Sequence, residues 1–266
     1  MTIGSRTAIA GAMLTFGIVA GCSVAPDGVD IHDPYESTNR AIHGFNKDLD
    51  SALLRPVSTT IVQLPDELTD MLTNFAANIA LPGMVLNGLL QGDLEGAAKN
   101  TVRFALNSTI GIGGLFDPAG EGGLYEETTD FGETLAVWGV PEGAYQELPI
   151  LGPSTERDTV GYIVDLFIDP LGHIGPTWQS EYALAATFGS QLVDRGRFAA
   201  TVDSILYESA DSYAQSRLLY LQNRRFALGA GSVGAYLDPY GDDFADPYAL
   251  PAADPNSGFV DPYEDF

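Results

Sequence analysis

The chain has 266 residues, enough for one large domain or two small ones. Its formal net charge of −24 excludes nucleic acid as a partner and electrostatic docking on anionic lipid headgroups, because both require clustered Lys and Arg. Charged residues make up only 18% of the chain, below the roughly 25% of ordinary soluble domains, which indicates apolar surface left exposed.

Residues 1–21 have the form of a secretory signal, with an apolar run from Ala8 to Ala20 that is too short to span a bilayer. The run ends in Val-Ala-Gly before Cys22, the only cysteine of the chain, so an internal disulfide is excluded. This ending is similar to bacterial lipoprotein signals, which implies acyl chains such as palmitate on Cys22; the alternative is a plain cleaved signal with a chance cysteine. Ser23 follows, which in such lipoproteins favours export to the outer membrane. We expect residues 22–32 to form a tether.

The first helix of the folded part is predicted after Asp33-Pro34, which is turn chemistry. From Asn39 to Leu54, apolar residues recur at helical spacing and polar ones interleave with them. Arg55-Pro56 is predicted to end this helix, because proline disfavours a helical residue before it. For Arg40 and Asp50, a solvated helix face is one interpretation; the other, a helix that forms the wall or rim of a channel, is implied only by the family resemblance described below.

Residues 65–117 are mostly apolar and small, yet Asn and Gln recur among them. One interpretation is helices that lie in lipid and turn an amide-lined side toward an internal cavity; the other is a loosely patterned soluble core with stray Asn caps. No run reaches the roughly 18–20 apolar residues of a membrane-spanning helix. Pro82-Gly83 is predicted to break the block into two halves. The candidates for the polar lining are Asn74, Asn78, Asn87, Asn100, Arg103 and Asn107.

Helical spacing supports part of this set. Asn100, Arg103 and Asn107 fall at i, i+3 and i+7 and therefore on one helix face, while Leu94 and Val102 belong to the opposite face. Asn74 and Asn78 form an i, i+4 pair.

Beyond this block we expect three further elements. A short helix begins at Asp130, and a second runs from Thr155 to Ile168, with its Val, Ile and Phe side chains inward. In the second helix, Arg157-Asp158 is either a buried ion pair or a cap. Residues 178–237 contain no proline, and the apolar residues from Phe188 to Leu206 recur at the spacing of one long packing helix, with a weaker point in its middle at Arg195-Gly196-Arg197.

The C-terminal residues 231–266 form an acidic tail that repeats Asp-Pro-Tyr among Gly and Pro. Such a composition cannot bury enough apolar surface to fold, so we expect disorder. The alternative is a calcium or partner motif, although the register of a calcium loop is missing.

The motifs of common enzymes and metal sites are missing from the sequence. It holds no Gly-x-Ser-x-Gly elbow, and its three histidines are scattered without a His-Glu-x-x-His pattern. We therefore expect no enzyme, no cofactor and no metal. A Ser–base pair assembled only in space is the remaining route to a lipid hydrolase.

Five segments resemble the MlaA (VacJ) family of outer-membrane lipoproteins: DPYESTNRAIHGFN, NFAANIALPGMVLNGLLQGD, RFALNSTIGIGGLFDPA, DFGETLAVWGV and LPILGPSTERDTVG. The resemblance implies an all-α domain over residues 33–230. In this domain, membrane-embedded amphipathic helices form a ring-like bundle around a central channel, with no spanning helix. The matching motif residues are Asp33, Pro34, Asn39, Arg40, Asn46, Gln91, Gly92, Asp130, Phe131, Gly132, Arg157 and Asp158.

The resemblance also implies a function. A lipid-anchored protein in the periplasmic leaflet of the outer membrane would remove mislocalised phospholipids from the outer leaflet and so maintain lipid asymmetry. It would pass them to the periplasmic lipid carrier MlaC and bind a trimeric outer-membrane porin, without a cofactor. The alternatives are a structural envelope lipoprotein and, less favoured, a lipid hydrolase.

Overall fold

The computed structural model describes Ser23 and residues 30–168, 170–171 and 177–229. The predicted signal, the lipidation site Cys22 and the tail 231–266 lie outside these residues. Clustering of contacts gives two compact units, Met1–Asn223 and Arg224–Phe266. In the second unit, the described residues 224–229 are helical.

The described chain is mainly helical, as predicted, and carries one small hairpin. Within the described ranges, no helix is both long enough and apolar enough to cross a bilayer. The helices are α1 (Glu36–Leu49), α2 (Arg55–Ile61), α3 (Asp66–Gln91), α4 (Leu94–Thr109), α5 (Pro118–Glu121), α6 (Phe131–Val137), α7 (Glu156–Ile168), α8 (Thr177–Arg197), α9 (Ala199–Asp203) and α10 (Ser212–Gly229). Two π-helical turns, Asp50–Leu54 and Ser204–Glu208, follow α1 and α9.

The hairpin pairs β1 (Tyr145–Leu148) with β2 (Gly152–Thr155) in antiparallel register, from Tyr145 opposite Thr155 to Leu148 opposite Gly152. The sequence analysis gave no strand here. The hairpin turns tightly at Ile150 and Gly152, both of which have positive φ, and glycine adopts that conformation without a steric cost.

Two predicted helix breaks are wrong. Pro56 lies in the first turn of α2, where a missing N–H costs little, because the π turn before it has reset the hydrogen-bond register. Pro82 lies inside α3, a helix of 26 residues that is not broken at this proline. Since α3 packs against both α4 and α8, this tertiary packing outweighs the local loss of one backbone donor.

The predictions for the later helices were wrong in two details. The long helix expected through Phe188 and Leu206 is interrupted: Phe198, directly after the weak point expected at residues 195–197, separates α8 from α9. A bend near Ser209 precedes α10. Helix α7 begins one residue later than the predicted Thr155 and ends at Ile168 as predicted. Its orientation differs from the prediction, because Ile163 and Phe167 are 47% and 73% exposed. The apolar face of α7 points away from the protein interior.

The interior of the protein is unusually polar. One apolar cluster joins Tyr145, Tyr213 and Leu221, with Ile31 and Tyr220 packed against it. Elsewhere the buried side chains include many amides, hydroxyls and charged groups, and each buried polar group needs a hydrogen-bond partner to be tolerated.

Candidate functional site

A cleft lies among helices α3, α7 and α8 and has a volume of about 440 Å³. This volume falls within the range of roughly 300–1,000 Å³ found for small-molecule sites. We call it the α3–α7 cleft. Its walls are mostly apolar, and its polar lining consists of the side chains of Asn87, Thr129, Asp165 and Thr187 and the hydroxyl of Tyr162. The described residues that line it are Ile79, Ala80, Gly83, Met84, Asn87, Thr129, Tyr162, Asp165, Leu166, Ile168, Ala183, Leu184 and Thr187.

A hydrogen-bond network fixes the polar edge of the cleft. Asn87 Nδ2 donates to Asp165 Oδ1 at 2.9 Å, and the backbone N–H of Phe131 donates to Asp165 Oδ2 at 2.9 Å. Thr134 Oγ1 donates to Asn87 Oδ1 at 3.0 Å and in turn accepts from Gln91 Nε2 at 2.9 Å. These bonds tie α3, α6 and α7 together and hold the Asp165 carboxylate in one orientation.

Three of the six predicted lining residues share one buried face of α4, as their spacing indicated. Asn100, Arg103 and Asn107 are each at most 5% exposed, while Leu94 and Val102 on the other face are 69% and 48% exposed. Each buried group binds the segment that follows α4. Their partners lie within the protein, so the structure places these three side chains as clamps on that segment.

The clamp contacts are specific. Asn100 Nδ2 donates to the carbonyl of Glu127 at 2.8 Å, and Asn100 Oδ1 accepts from its N–H at 3.1 Å. Asn107 Nδ2 donates to Asp117 Oδ1 at 2.7 Å, and Arg103 Nη2 is 3.1 Å from Asp117 Oδ2. Arg103 also donates to the carbonyl of Leu124.

The pKa of Asp117 reflects these contacts. Burial by itself raises it, but the backbone N–H of Gly120 and the side chains of Asn107 and Arg103 outweigh burial, and the pKa lies below its usual value. Asp117 is therefore an ionised anchor for the segment at neutral pH.

The other three predicted lining residues lie on α3. Asn87 is 2% exposed and lines the α3–α7 cleft. Asn78 is buried and donates to Ser108 Oγ at 3.1 Å, and the backbone of Gly114 passes so close that a Cβ there would lie 2.5 Å from Asn78 Cβ. Asn74 is partly exposed, 3.4 Å from the carbonyl of Leu115.

The N-terminal motif residues hold the hairpin. Asn39 Nδ2 donates to the carbonyl of Tyr145 at 3.1 Å, and Asn39 Oδ1 accepts from the N–H of Glu147 at 3.0 Å. Asn46 makes a similar pair with Leu148 and Ile150, at 2.9 and 2.7 Å.

Asp33 and Arg40, also in this motif, bind helix α10 and the residue before it. Asp33, just before Pro34, accepts hydrogen bonds from Tyr213 and Arg217, and Arg40 pairs with Asp211 at 2.9 Å. Arg40 is 42% exposed in its side chain, so this ion pair is exposed.

The remaining motif residues shape the polar edge of the α3–α7 cleft or lie beside it. Gly92 ends α3 with φ +81°, and Asp130 caps α6 by accepting from the N–H of Glu133 at 2.8 Å. Gly132 and Gly161 let α6 and α7 touch, since a Cβ on Gly161 would lie 2.3 Å from the N of Gly132.

Arg157 and Asp158, left open between an ion pair and a cap, form a mostly buried pair with 3.4 Å between Nε and Oδ1. Tyr220 also donates to Asp158, at 2.7 Å. This pair therefore links the start of α7 to α10.

Asp165, Thr129 and Thr134 were not predicted from the sequence. One signal pointed to Asp165: it is the only charge in the apolar run Tyr162 to Ile168, and an isolated carboxylate there needs a partner. Its partner Asn87 is 78 residues away in the chain.

Large apolar side chains surround the cleft and are exposed. On α7, Tyr162, Ile163, Leu166 and Phe167 are 44–73% exposed, and on α8 Leu184 is 78% exposed. Contiguous exposed apolar residues of this kind mark a surface that contacts a membrane or another apolar partner.

A Ser–His–Glu arrangement among the described residues bears on catalysis. Ser212 Oγ lies 3.1 Å from His43 Nε2, and His43 Nδ1 lies 3.2 Å from Glu147 Oε1, the order found in hydrolase triads. However, the Asp211 carboxylate accepts from the N–H of Ala214 at 3.0 Å, at the helix start where an oxyanion would need donors.

Burial and a hydrogen bond to Glu147 raise the pKa of Tyr145, so its phenol is neutral. This phenol donates to Glu147 Oε2, the carboxylate oxygen that His43 does not contact. Among the described residues, no group of three or more His, Cys, Asp or Glu is arranged to hold a metal.

Comparison with known proteins places the chain in a family. The family model for the MlaA lipoprotein matches residues 31–227. A protein of Rickettsia bellii is 35% identical over 75% of this chain and 78% of its own. The intermembrane phospholipid transport system lipoprotein MlaA of Escherichia coli is 32% identical over 84% of this chain and 89% of its own.

A solved structure that gives the structural basis for maintenance of bacterial outer membrane lipid asymmetry is also similar. It has a TM-score of 0.64 and 32% identity, and the match covers 74% of this chain and 98% of that one. Since the family model spans most of the chain, and the E. coli relative shares about a third of its residues, this chain belongs to the MlaA lipoprotein family.

Proposed function

We propose that this chain is an outer-membrane lipoprotein that takes mislocalised phospholipids from the outer leaflet and passes them toward the periplasm, which maintains lipid asymmetry. The observation that carries the proposal is the α3–α7 cleft, which sets one fixed polar edge against apolar walls and opens among exposed apolar side chains. A phospholipid has the same division between a polar headgroup and apolar chains.

The physical role of the cleft is to lower the barrier for the headgroup. Hydrocarbon excludes a charged headgroup at a cost of several kcal/mol or more. The amide of Asn87, the hydroxyl of Thr129 and the carboxylate of Asp165 replace part of its water. The exposed side chains of Leu166, Phe167 and Leu184 contact acyl chains. The cleft has room for part of a phospholipid, so the lipid moves through it in stages.

In this proposal the six lining candidates have different roles. Asn87 faces the lipid in the α3–α7 cleft. Asn100, Arg103 and Asn107 hold residues 117–127 in place and so keep the wall of the passage rigid, and Asn78 does the same for the turn at Gly114. Such clamps need no direct contact with the lipid. A ring around a central channel remains part of the proposal.

Anchoring and partners also belong to the proposal. Acyl chains on Cys22 would hold the chain in the periplasmic leaflet, where helices too short to span can lie with their apolar faces in lipid. A trimeric porin and the periplasmic carrier MlaC are the partners that family membership suggests. The net charge of −24 favours a partner that offers apolar or basic surface.

We propose transport without catalysis. The described residues that line the α3–α7 cleft include no nucleophile beside a base, and at the Ser212–His43–Glu147 chain the N–H of Ala214 already donates to the Asp211 carboxylate. A brace for the envelope is the other candidate; it would need no cleft with a polar edge.

Blocking the α3–α7 cleft tests the function. Ala80 is exposed and lines the cleft, so Ala80→Trp fills it with little effect on folding, and Ala105→Trp adds the same bulk to an exposed site on α4 outside it. In cells that lack the native gene, we expect wild type and Ala105→Trp to keep phospholipid out of the outer leaflet and Ala80→Trp to fail. Surface labelling of headgroup amines with an impermeant reagent measures this. If the strains with wild type, Ala80→Trp and Ala105→Trp were all labelled as strongly as cells without the protein, the result would contradict transport as the function.

A further inference from the structure

We propose that Glu156, at the start of α7, is a docking site for the acylated N-terminus of the chain. The lipid anchor is then fixed to the folded domain at the residue that follows Cys22, instead of moving at the end of a loose tether. The inference rests on one part of the proposed function, the acyl chains on Cys22.

The contact that carries the inference joins Ser23 to Glu156 across 133 residues of sequence. The backbone N–H of Ser23 donates to Glu156 Oε2 at 2.6 Å, and Ser23 Oγ donates to the same oxygen at 3.0 Å. Because the Ser23 hydroxyl gives its one hydrogen to Glu156, it accepts from His32 Nε2, which lies 3.1 Å away. Both donors of Ser23 are therefore bound to a carboxylate, and such hydrogen bonds are stronger than those between neutral groups.

The fold holds the Glu156 carboxylate in this position. The backbone N–H of Glu156 donates to the carbonyl of Ala144 at 2.9 Å, which places the start of α7 against the residues before β1. Gly143 leaves room for the side chain, since a Cβ there would lie 2.7 Å from Glu156 Oε2 and 2.8 Å from Glu156 Cβ. The Tyr35 hydroxyl lies 3.4 Å from the other carboxylate oxygen, Oε1. The site combines three separate parts of the sequence, so it exists only in the folded domain.

A docked anchor has a much shorter reach than a free one. Residues 23–32, if fully extended, would let the acyl chains move about 30 Å from the domain. Docking of Ser23 leaves one peptide unit, about 3.8 Å, between the docked residue and the acylated one.

The docked anchor also has a fixed relation to the α3–α7 cleft. The acyl chains leave the protein beside the first turn of α7. Leu166, which lines the cleft, lies ten residues beyond Glu156 on the same helix, or about 15 Å along its axis. The docking site therefore holds the cleft at a set distance from the point at which the anchor enters the membrane.

The experiment measures the protection of one amide. The mature full chain is isotope-labelled at its serine nitrogens and studied by NMR in detergent micelles, and the Ser23 signal is the one that is missing in Ser23→Ala. In wild type we expect the Ser23 N–H to exchange with water at least about tenfold more slowly than an unprotected amide, the factor that one hydrogen bond to a charged group supplies. Glu156→Ala should remove the protection. Glu67→Ala, which removes an exposed carboxylate from the first turn of α3, should keep it.

A second pair of variants leaves Glu156 in place. Gly143 and Gly139 have positive φ values of 77° and 87°, so alanine strains the backbone to a similar extent at both positions. An added Cβ meets the Glu156 side chain at Gly143, whereas nothing lies within 4 Å of it at Gly139. Gly143→Ala should displace the Glu156 carboxylate and remove the protection of the Ser23 N–H, and Gly139→Ala should preserve it.

Mass spectrometry of the same samples shows whether Cys22 is acylated. An unprotected Ser23 N–H in acylated wild type, or protection that survives both Glu156→Ala and Gly143→Ala, would overturn the docking site and leave transport standing. A mature chain without acyl chains would instead contradict the anchor in the proposed function, and the inference with it.

Discussion

Asn100 exchanges two hydrogen bonds with the backbone of Glu127, donating to its carbonyl at 2.8 Å and accepting from its N–H at 3.1 Å. Asn100 is fully buried. An amide is the only side-chain group with one donor and one acceptor side by side in this geometry, so it reproduces the pairing of one strand residue with another. The segment before α6 is thereby held to α4 without regular secondary structure.

The first prediction follows from this pairing. Asn100→Asp keeps the shape but loses the donor, brings two oxygens together and buries a charge, so we expect the free energy of unfolding to fall by about 3 kcal/mol. Chemical unfolding in detergent measures the loss, and protease cleavage near Glu127 should increase. Asn74→Asp makes the same change at a partly exposed site with one weak contact, and it should cost less than about 0.5 kcal/mol. Equal losses in the two variants would show that the Asn100 pairing has no special weight.

A second prediction concerns the contact between α6 and α7. A Cβ on Gly161 would lie 2.3 Å from the backbone N of Gly132, and backbone cannot move aside as a side chain can. Gly161→Ala should therefore separate the two helices, lower the free energy of unfolding by about 3 kcal/mol and disturb the Phe131 N–H that binds Asp165. Thermal unfolding and lipid binding both report on this.

Gly44→Ala is the matched control for that variant. Gly44 is also helical, but nothing lies within 4 Å of its added Cβ, so alanine should raise stability by about 0.5–1 kcal/mol through helix propensity. If Gly161→Ala were as harmless as Gly44→Ala, the close approach of α6 and α7 would be wrong.

How far the sequence predicts this fold depends on the range of the interaction. Helical spacing is local, and it predicts correctly that Asn100, Arg103 and Asn107 share a face. Their partners lie 10 to 27 residues further along, in a segment without periodicity, so no pattern identifies them. The resemblance to the family indicated which residues matter and not what they contact.

The same limit explains the errors in the helices. Proline rules describe an isolated helix, and they fail at Pro56 because a π turn shifts the register and at Pro82 because α3 is packed on two sides. The orientation of α7 was wrong because the prediction assumed that apolar residues point inward. In a protein whose surroundings are apolar, that assumption does not hold.

A third prediction concerns pH and Asp117. Because its pKa is lower in the folded than in the unfolded chain, the stability it contributes is fully present above the unfolded value of about 4 and is lost as the pH falls through the folded value. Asp117→Asn should thus cost about 2 kcal/mol at pH 7, and the difference from wild type should shrink below about pH 4.

Unfolding in denaturant at several pH values gives this difference directly. Asp48→Asn, at an exposed position on α1, serves as the control and should differ little from wild type at any pH. A difference for Asp117→Asn that stays constant between pH 7 and pH 3 would contradict the ion pair with Arg103.

The last prediction separates transport from hydrolysis. Ser212, His43 and Glu147 have the order of a triad, so an active-site probe is the direct test. We expect a fluorophosphonate to leave Ser212 unlabelled and the purified chain to release no lysophospholipid or fatty acid, because the Ala214 N–H already donates to the Asp211 carboxylate and is not available to stabilise an oxyanion. Ser212→Ala should keep lipid transport intact. It should lower the free energy of unfolding by about 1 kcal/mol, since the His43 ring loses a partner in a buried site. Ser51→Ala, which removes an exposed hydroxyl bonded to its own helix, should cost less.

Labelling of wild type that disappears in Ser212→Ala would make the chain a serine hydrolase. The buried network would then be an active site rather than a link between α1, the hairpin and α10.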